Sequence, residues 1–145
     1  NKTRPVAEHF DWVHSVDRLK IAERLSDQRP AHLPALQICL QVNVDGGANK
    51  SGVTPGEAVA LALAVAVLPG LQLRGLMAIP EPASDFAAQH ALCLRAAAVF
   101  EEIRAAGLNV DTLSLGMSAD LEAAVAAGST MVRVGTAIFG GRAPA

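Results

Sequence analysis

The chain has 145 residues, 51% of them hydrophobic and 18% charged, with a net charge of −2. That is one domain's worth of chain, long enough to bury a sizeable core, and its composition is that of an α-rich or α/β globular protein rather than a disordered one. The small negative charge gives no reason to expect nucleic acid or an anionic membrane as partner, and four Phe, one Trp and no Tyr argue against a base-stacking surface.

In chain order, Lys2–His9 reads as a short helix started or broken around Pro5. Asp11–Val16 is an apolar-rich strand candidate, and Asp17 can cap a helix over Arg18–Gln28, in which Leu19, Ala22 and Leu25 fall near helical spacing. After the Pro-bounded loop Arg29–Pro34, Leu36–Val44 is a continuous aliphatic and β-branched run, the pattern of a buried strand. Asp45–Thr54 is polar and Gly-rich and carries Lys50. Thr54-Pro55-Gly56-Glu57 has the form of a capping box with Pro at the first helical position. The helix it opens, Pro55–Val67, is apolar nearly all round and should be well covered. Its apolar run Ala58–Leu68 is too short to span a bilayer.

Pro69-Gly70 stops that helix, Leu71–Ala78 is the next strand, and a loop over Ile79–Ala83 follows. Ser84 then caps a long helix to Ala106 with the stripe Leu92, Ala96, Val99, Phe100 and Ile103, and Gly107 is a natural stop. Cys39 in a strand and Cys93 in a helix form no CxxC or zinc pattern, so they read as buried free thiols, which fits a reducing cytoplasm. His9, His32 and His90 show no metal-ligand spacing.

The last stretch, Leu113–Arg142, carries the most information. Two strand-like runs, Thr112–Leu115 and Met131–Val134, flank a helical segment Leu121–Ala127. Each run ends in glycine and a small hydroxyl residue: Gly116-Met117-Ser118 and Gly135-Thr136. Glycine lets backbone approach a ligand closely, and Ser or Thr can cap the helix that follows. A helix N-terminus has unpaired N–H groups and the positive end of its dipole, so it suits a phosphate. Two such termini after consecutive parallel strands describe the phosphate site at the last loops of a TIM barrel. Taken singly, Ser118 as a plain N-cap and Gly135 as a plain turn residue fit better than a ligand role; the paired arrangement brings the two readings level. Asp120 and Glu122 in the first helical turn favour the dipole and need no catalytic role.

This segment closely resembles the pyridoxal-phosphate homeostasis protein family, whose members have the alanine-racemase-type barrel. Further matching pieces fall in family order along the chain: Asn1-Lys2, Trp12-Val13-His14-Ser15-Val16-Asp17, Gln41-Val42-Asn43 with Lys50-Ser51-Gly52, and Gly75-Leu76-Met77-Ala78-Ile79-Pro80. The resemblance implies an α/β fold, a (β/α)8 TIM barrel of the alanine-racemase type. Strand-like runs begin near residues 11, 36, 71, 112 and 131, whereas a complete barrel takes about 250 residues. Residues 1–145 are therefore expected to be a single domain holding the last five βα units.

The resemblance also implies the cofactor, pyridoxal 5′-phosphate (PLP). The family holds it as a Schiff base on a lysine near the end of the first barrel strand, which would lie before residue 1; Lys2, Lys20 and Lys50 do not match that motif. By the same route Ser118, Gly135 and Thr136 bind the phosphate, with backbone N–H groups near Met117 and Ala137 as helpers, and Arg133 faces the pyridine nitrogen. Arg133 as a buried, paired structural arginine is the alternative. Met77 at a strand end would face the cofactor mouth or simply pack in the core. Asn43 would bond ligand or loop. His14 and Ser15 end a strand where barrel active sites collect, although a structural role fits His14 as well. Lys50 is either a solvated charge or a secondary site for PLP transfer.

The function so implied is non-catalytic: carriage or regulation of PLP in intracellular vitamin B6 and amino-acid homeostasis, in the cytoplasm, with PLP-dependent apo-enzymes as recipients. A complete barrel would be monomeric and a truncated one would associate. The alternative is a PLP-dependent racemase or decarboxylase of the same barrel class. Racemases of this fold rely on a second domain and a tyrosine base, and no Tyr is present here.

Overall fold

The structure, a computed structural model, describes residues 2–46 and 51–135. The elements are α1 (Thr3–His9), β1 (Trp12–Val16), α2 (Leu19–Gln28), β2 (Leu36–Gln41), α3 (Pro55–Ala66), β3 (Leu71–Met77), α4 (Phe86–Ala105), β4 (Thr112–Ser114) and α5 (Leu121–Ala126). The four strands pair in parallel in the order β1-β2-β3-β4. Parallel neighbours cannot be joined by a tight turn, and here each connection is a helix.

Side-chain alternation decides which kind of parallel fold this is. Leu36, Ile38, Leu40 and Val42 join one buried cluster with Ala22 and Leu25 of α2, Ala58, Ala62 and Val65 of α3, and Ala96, Val99 and Ile103 of α4. The period of a strand turns the residues between them, Gln37, Cys39 and Gln41, to the opposite face. Leu76 and Leu113 belong to the same helix-facing cluster, so Met77 and Ser114 beside them also face away from it. Helices cover one face of the sheet. A doubly wound sheet would be covered on both, so this is a length of barrel wall, its other face the concave interior.

A bulge shapes that wall. Leu73 pairs with Ile38 and Gly75 with Cys39, leaving Arg74 as the extra residue. Arg74 lies 4.7 Å from the Trp12 ring centroid, donates to the Gln37 side chain at 2.9 Å, and makes a two-pronged pair with Asp111 at 3.0 and 2.8 Å. A Cβ on Gly75 would overlap the carbonyl oxygen of Thr112, so only glycine lets β3 and β4 close here. At the opposite edge the buried Arg29 meets no carboxylate among the described residues. Its guanidinium donates to the carbonyls of Ala7, Phe10 and Pro34, tying the end of α1 to the loop after α2.

Several local expectations shift. Arg18, not Asp17, occupies the N-cap of α2 and no side chain caps it, because Asp17 turns to the Arg18 guanidinium at 3.4 Å. Strand β2 ends at Gln41, and Val42 keeps a single parallel bridge to Val53. Thr54 does occupy the N-cap of α3 with Pro55 after it, but its hydroxyl bonds the Glu57 carboxylate rather than a backbone N–H. Helix α3 is less covered than its composition suggests: Leu63 is 45% exposed. Asp85, not Ser84, caps α4 by accepting from Ala88 N–H at 2.8 Å. On α4, Cys93 rather than Leu92 completes the buried stripe. The run Met131–Val134 makes one bridge, Met131 to Ser114, instead of a full fifth strand.

Candidate functional site at the C-terminal rim of the sheet

The strands end together at one rim, where a hydrogen-bonded ladder continues beyond the strands proper. Val42 N–H donates to the Met77 carbonyl (2.9 Å), Ala78 N–H to Ser114 (3.2 Å), Leu115 N–H to Met131 (3.1 Å) and Arg133 N–H to Gly116 (2.8 Å). These rungs bring Met77, Ser114, Gly116 and Arg133, distant in sequence, onto adjoining strand ends.

Arg133 is the centre of the rim. Its Nη2 donates to the Ala78 carbonyl at 2.8 Å, across the width of β4. It forms no ion pair with a carboxylate among the described residues, and burial lowers its pKa, opposed by the field of Asp120. Its Nε has no hydrogen-bond partner among the described residues, and neither has the Oγ of Ser114, which is fully buried. A buried polar atom without a partner costs about 1–3 kcal/mol. His14 also lies on the concave side, edge-on to Trp12 with ring centroids 5.8 Å apart, and its pKa is lowered by burial first and then by the charge of Arg133.

The other predicted site residues separate into distinct groups. Met77 is buried at the end of β3, outside the helix-facing cluster. Asn43 follows β2, and its side-chain oxygen accepts from Gly46 N–H at 3.1 Å, which engages it in its own loop. Ser118 is half-buried between β4 and α5. It is not the cap of α5, since Asp120 holds that position. The Met117 amide is already committed to the Asp120 carboxylate at 2.8 Å, so it is no free helper for a phosphate, and the Met117 side chain is exposed. Gly116 admits not a ligand but α5: a Cβ there would come 2.6 Å from the Ala124 Cβ. Gly135 is the last described residue before the terminus, and a Cβ on it would meet nothing within 4 Å. Thr136, Ala137, Lys50 and Asn1 lie outside the described residues.

Ser114 is the residue the sequence reading passed over, although the signal was present. It lies between two leucines in Leu113-Ser114-Leu115, so strand alternation puts it on the concave face opposite them. Burial pushes the Cys39 thiol up to about 12, and both cysteines are buried and free, as expected. The described residues hold no His, Cys, Asp or Glu group able to bind a metal, and no helix among them is long and apolar enough to cross a membrane.

Fold and rim together define a class: one wall of a (β/α) barrel whose strand ends carry a half-buried arginine without a carboxylate partner among the described residues, and small hydroxyl residues. The particular family follows from comparison with known proteins. The sequence pattern of the alanine racemase N-terminal domain matches residues 1–143, and the chain belongs to that family. It is 63% identical over 142 residues to the pyridoxal phosphate homeostasis protein of Pseudomonas aeruginosa, covering 98% of this chain and 60% of that protein. The protein of that name from Escherichia coli K12 is 56% identical, with 98% of this chain and 61% of the relative covered. The chain thus spans about three-fifths of the length of these curated relatives. PipY of Synechococcus elongatus PCC7942, solved with PLP bound, superposes with a TM-score of 0.85 at 38% identity over 97% of this chain and 66% of its own. Alanine racemase of Clostridium difficile 630, at 14% identity and a TM-score of 0.78, shares the fold.

Proposed function

We propose that the chain supplies the phosphate and ring-nitrogen side of a pyridoxal 5′-phosphate site, within a larger barrel that carries PLP for intracellular vitamin B6 and amino-acid homeostasis. The observation that carries this reading is Arg133, half-buried at the rim with its Nη2 on Ala78 and no carboxylate partner among the described residues. A guanidinium has donors and no acceptor, so its fitting partner is an acceptor such as an unprotonated aromatic nitrogen. Ser118, Gly135 and Thr136 would hold the phosphate, and Met77 would pack against the ring. Asn43 serves the same rim by fixing the loop after β2. The PLP-bound relative PipY and the name borne by the curated relatives support the same reading.

When bound, the cofactor supplies an electron-withdrawing ring and a carbonyl able to take an amine. Arg133 keeps the ring nitrogen unprotonated, because a second cation beside the guanidinium is repelled. That weakens the ring as an electron sink and favours carriage over turnover. In this reading the anchoring lysine comes from a segment outside residues 1–145, the recipients are PLP-dependent apo-enzymes, the site of action is the cytoplasm, and the complete barrel is a monomer.

The test is a PLP titration of the full-length protein, followed by absorbance. Arg133→Gln and Ser118→Ala should each weaken binding about tenfold or more, the worth of one charge-assisted hydrogen bond. Absence of PLP binding by the unmutated protein would overturn the reading. Robust racemisation or decarboxylation of amino acids would replace the carrier with an enzyme.

A further inference from the structure

We propose that the Ser114 hydroxyl is the second anchor of the Arg133 guanidinium, a positioning residue that sets the plane in which the arginine meets its ligand; this rests on the assignment of Arg133 to the cofactor ring. The rim ladder supplies the geometry. Arg133 is bonded through its backbone N–H to Gly116 on one side of β4, while its Nη2 reaches the Ala78 carbonyl on the other side. Ala78 in turn donates its own N–H to the Ser114 carbonyl. The arginine side chain therefore crosses the end of β4, and the β4 residue that alternation places on the concave face at that end is Ser114. Ser114 pairs with Met131, two residues before Arg133, so Ser114, Met131 and Arg133 point to the same face.

On that face two buried side-chain atoms lack partners among the described residues, Ser114 Oγ and Arg133 Nε. Their chemistry is complementary. The Nε–H can only donate, whereas a hydroxyl accepts through two lone pairs and keeps a proton to give. Buried polar groups are almost always satisfied, directly or through one bridging water; no direct bond joins these two atoms here, so the proposed anchor acts through one bridging water. One anchor, at Nη2, lets the guanidinium pivot about the Ala78 contact. Two anchors fix its plane, which decides whether the remaining N–H groups point along an in-plane lone pair.

The experiment is a double-mutant cycle in the full-length protein between Ser114→Ala and Arg133→Met, with Arg133→Lys as a second partner variant that keeps the charge and removes the Nε–H. It is read as the Tm of cofactor-free protein and as the Kd for pyridoxal 5′-phosphate. Ser114→Ala should lower Tm by about 2–4 °C and weaken PLP binding about fivefold. Both effects should vanish when Arg133 is already Met or Lys, and Ser114→Thr, which keeps the hydroxyl, should restore them. Additive effects in both readouts would overturn the proposal. Coupling in Tm without any PLP binding by the unmutated protein would support the pairing and overturn the ligand assignment instead, so the two failures are distinguishable.

Discussion

His14 shows how much of a residue's behaviour comes from its neighbours. Burial and the charge of Arg133 hold its pKa below the ordinary 6.5, so the folded protein keeps it neutral, while the unfolded chain restores the ordinary value. Below about pH 6.5 the unfolded state therefore binds more protons, and stability falls as pH drops through that window toward the folded pKa. The expected outcome is that His14→Gln flattens the fall in the urea midpoint between about pH 7.5 and about pH 5.5. An unchanged slope would show that His14 is not shifted in the folded protein. Asp111, held below its usual range first by its hydrogen bond to Arg74, responds in a separate and more acidic window. The place of Arg133 in a strand-like run, two residues before Gly135, was legible in the sequence. Its contact with Ala78 was not, since it joins positions 55 apart in sequence. Ser118 as a cap and the Met117 amide as a donor failed for one reason: Asp120 occupies the cap and takes that amide.

At the scale of elements, periodicity located the helices and strands, and local competition between polar side chains set their ends. Ser84 and Asp85 are adjacent and both are good caps, but the chain enters α4 with Asp85 extended, at φ −137° and ψ 166°, and its carboxylate on Ala88 N–H. Asp85→Ala should cost about 1 kcal/mol in denaturant unfolding, and Ser84→Ala almost nothing. Equal costs would mean that the helix starts one residue earlier. The Met131–Val134 run has strand composition yet forms a single bridge. Composition reports that a segment suits a pleated surface, whereas strand length also depends on the partner, and β4 is only three residues long.

For the whole molecule, the alternation of strands and helices made parallel βα units legible, and the motif order along the chain pointed to the barrel class. One open edge has a physical consequence. Among the described residues β1 pairs on one side alone, with β2, and unpaired strand edges recruit other strands. Residues 1–145 produced alone should therefore associate, eluting above the monomer mass in size-exclusion chromatography with light scattering. A stable monomer would mean that the edge is covered within this chain.

The sequence by itself determined the order of the helices and of the first four strands, because hydrophobic periodicity and turn residues act over a few residues. The tertiary structure alone decided that Arg74 is the bulge, that the space beside Gly116 is filled by α5, and that Arg133 reaches the Ala78 carbonyl. Those outcomes depend on which strand ends become neighbours, and that is set by packing between segments far apart in the chain.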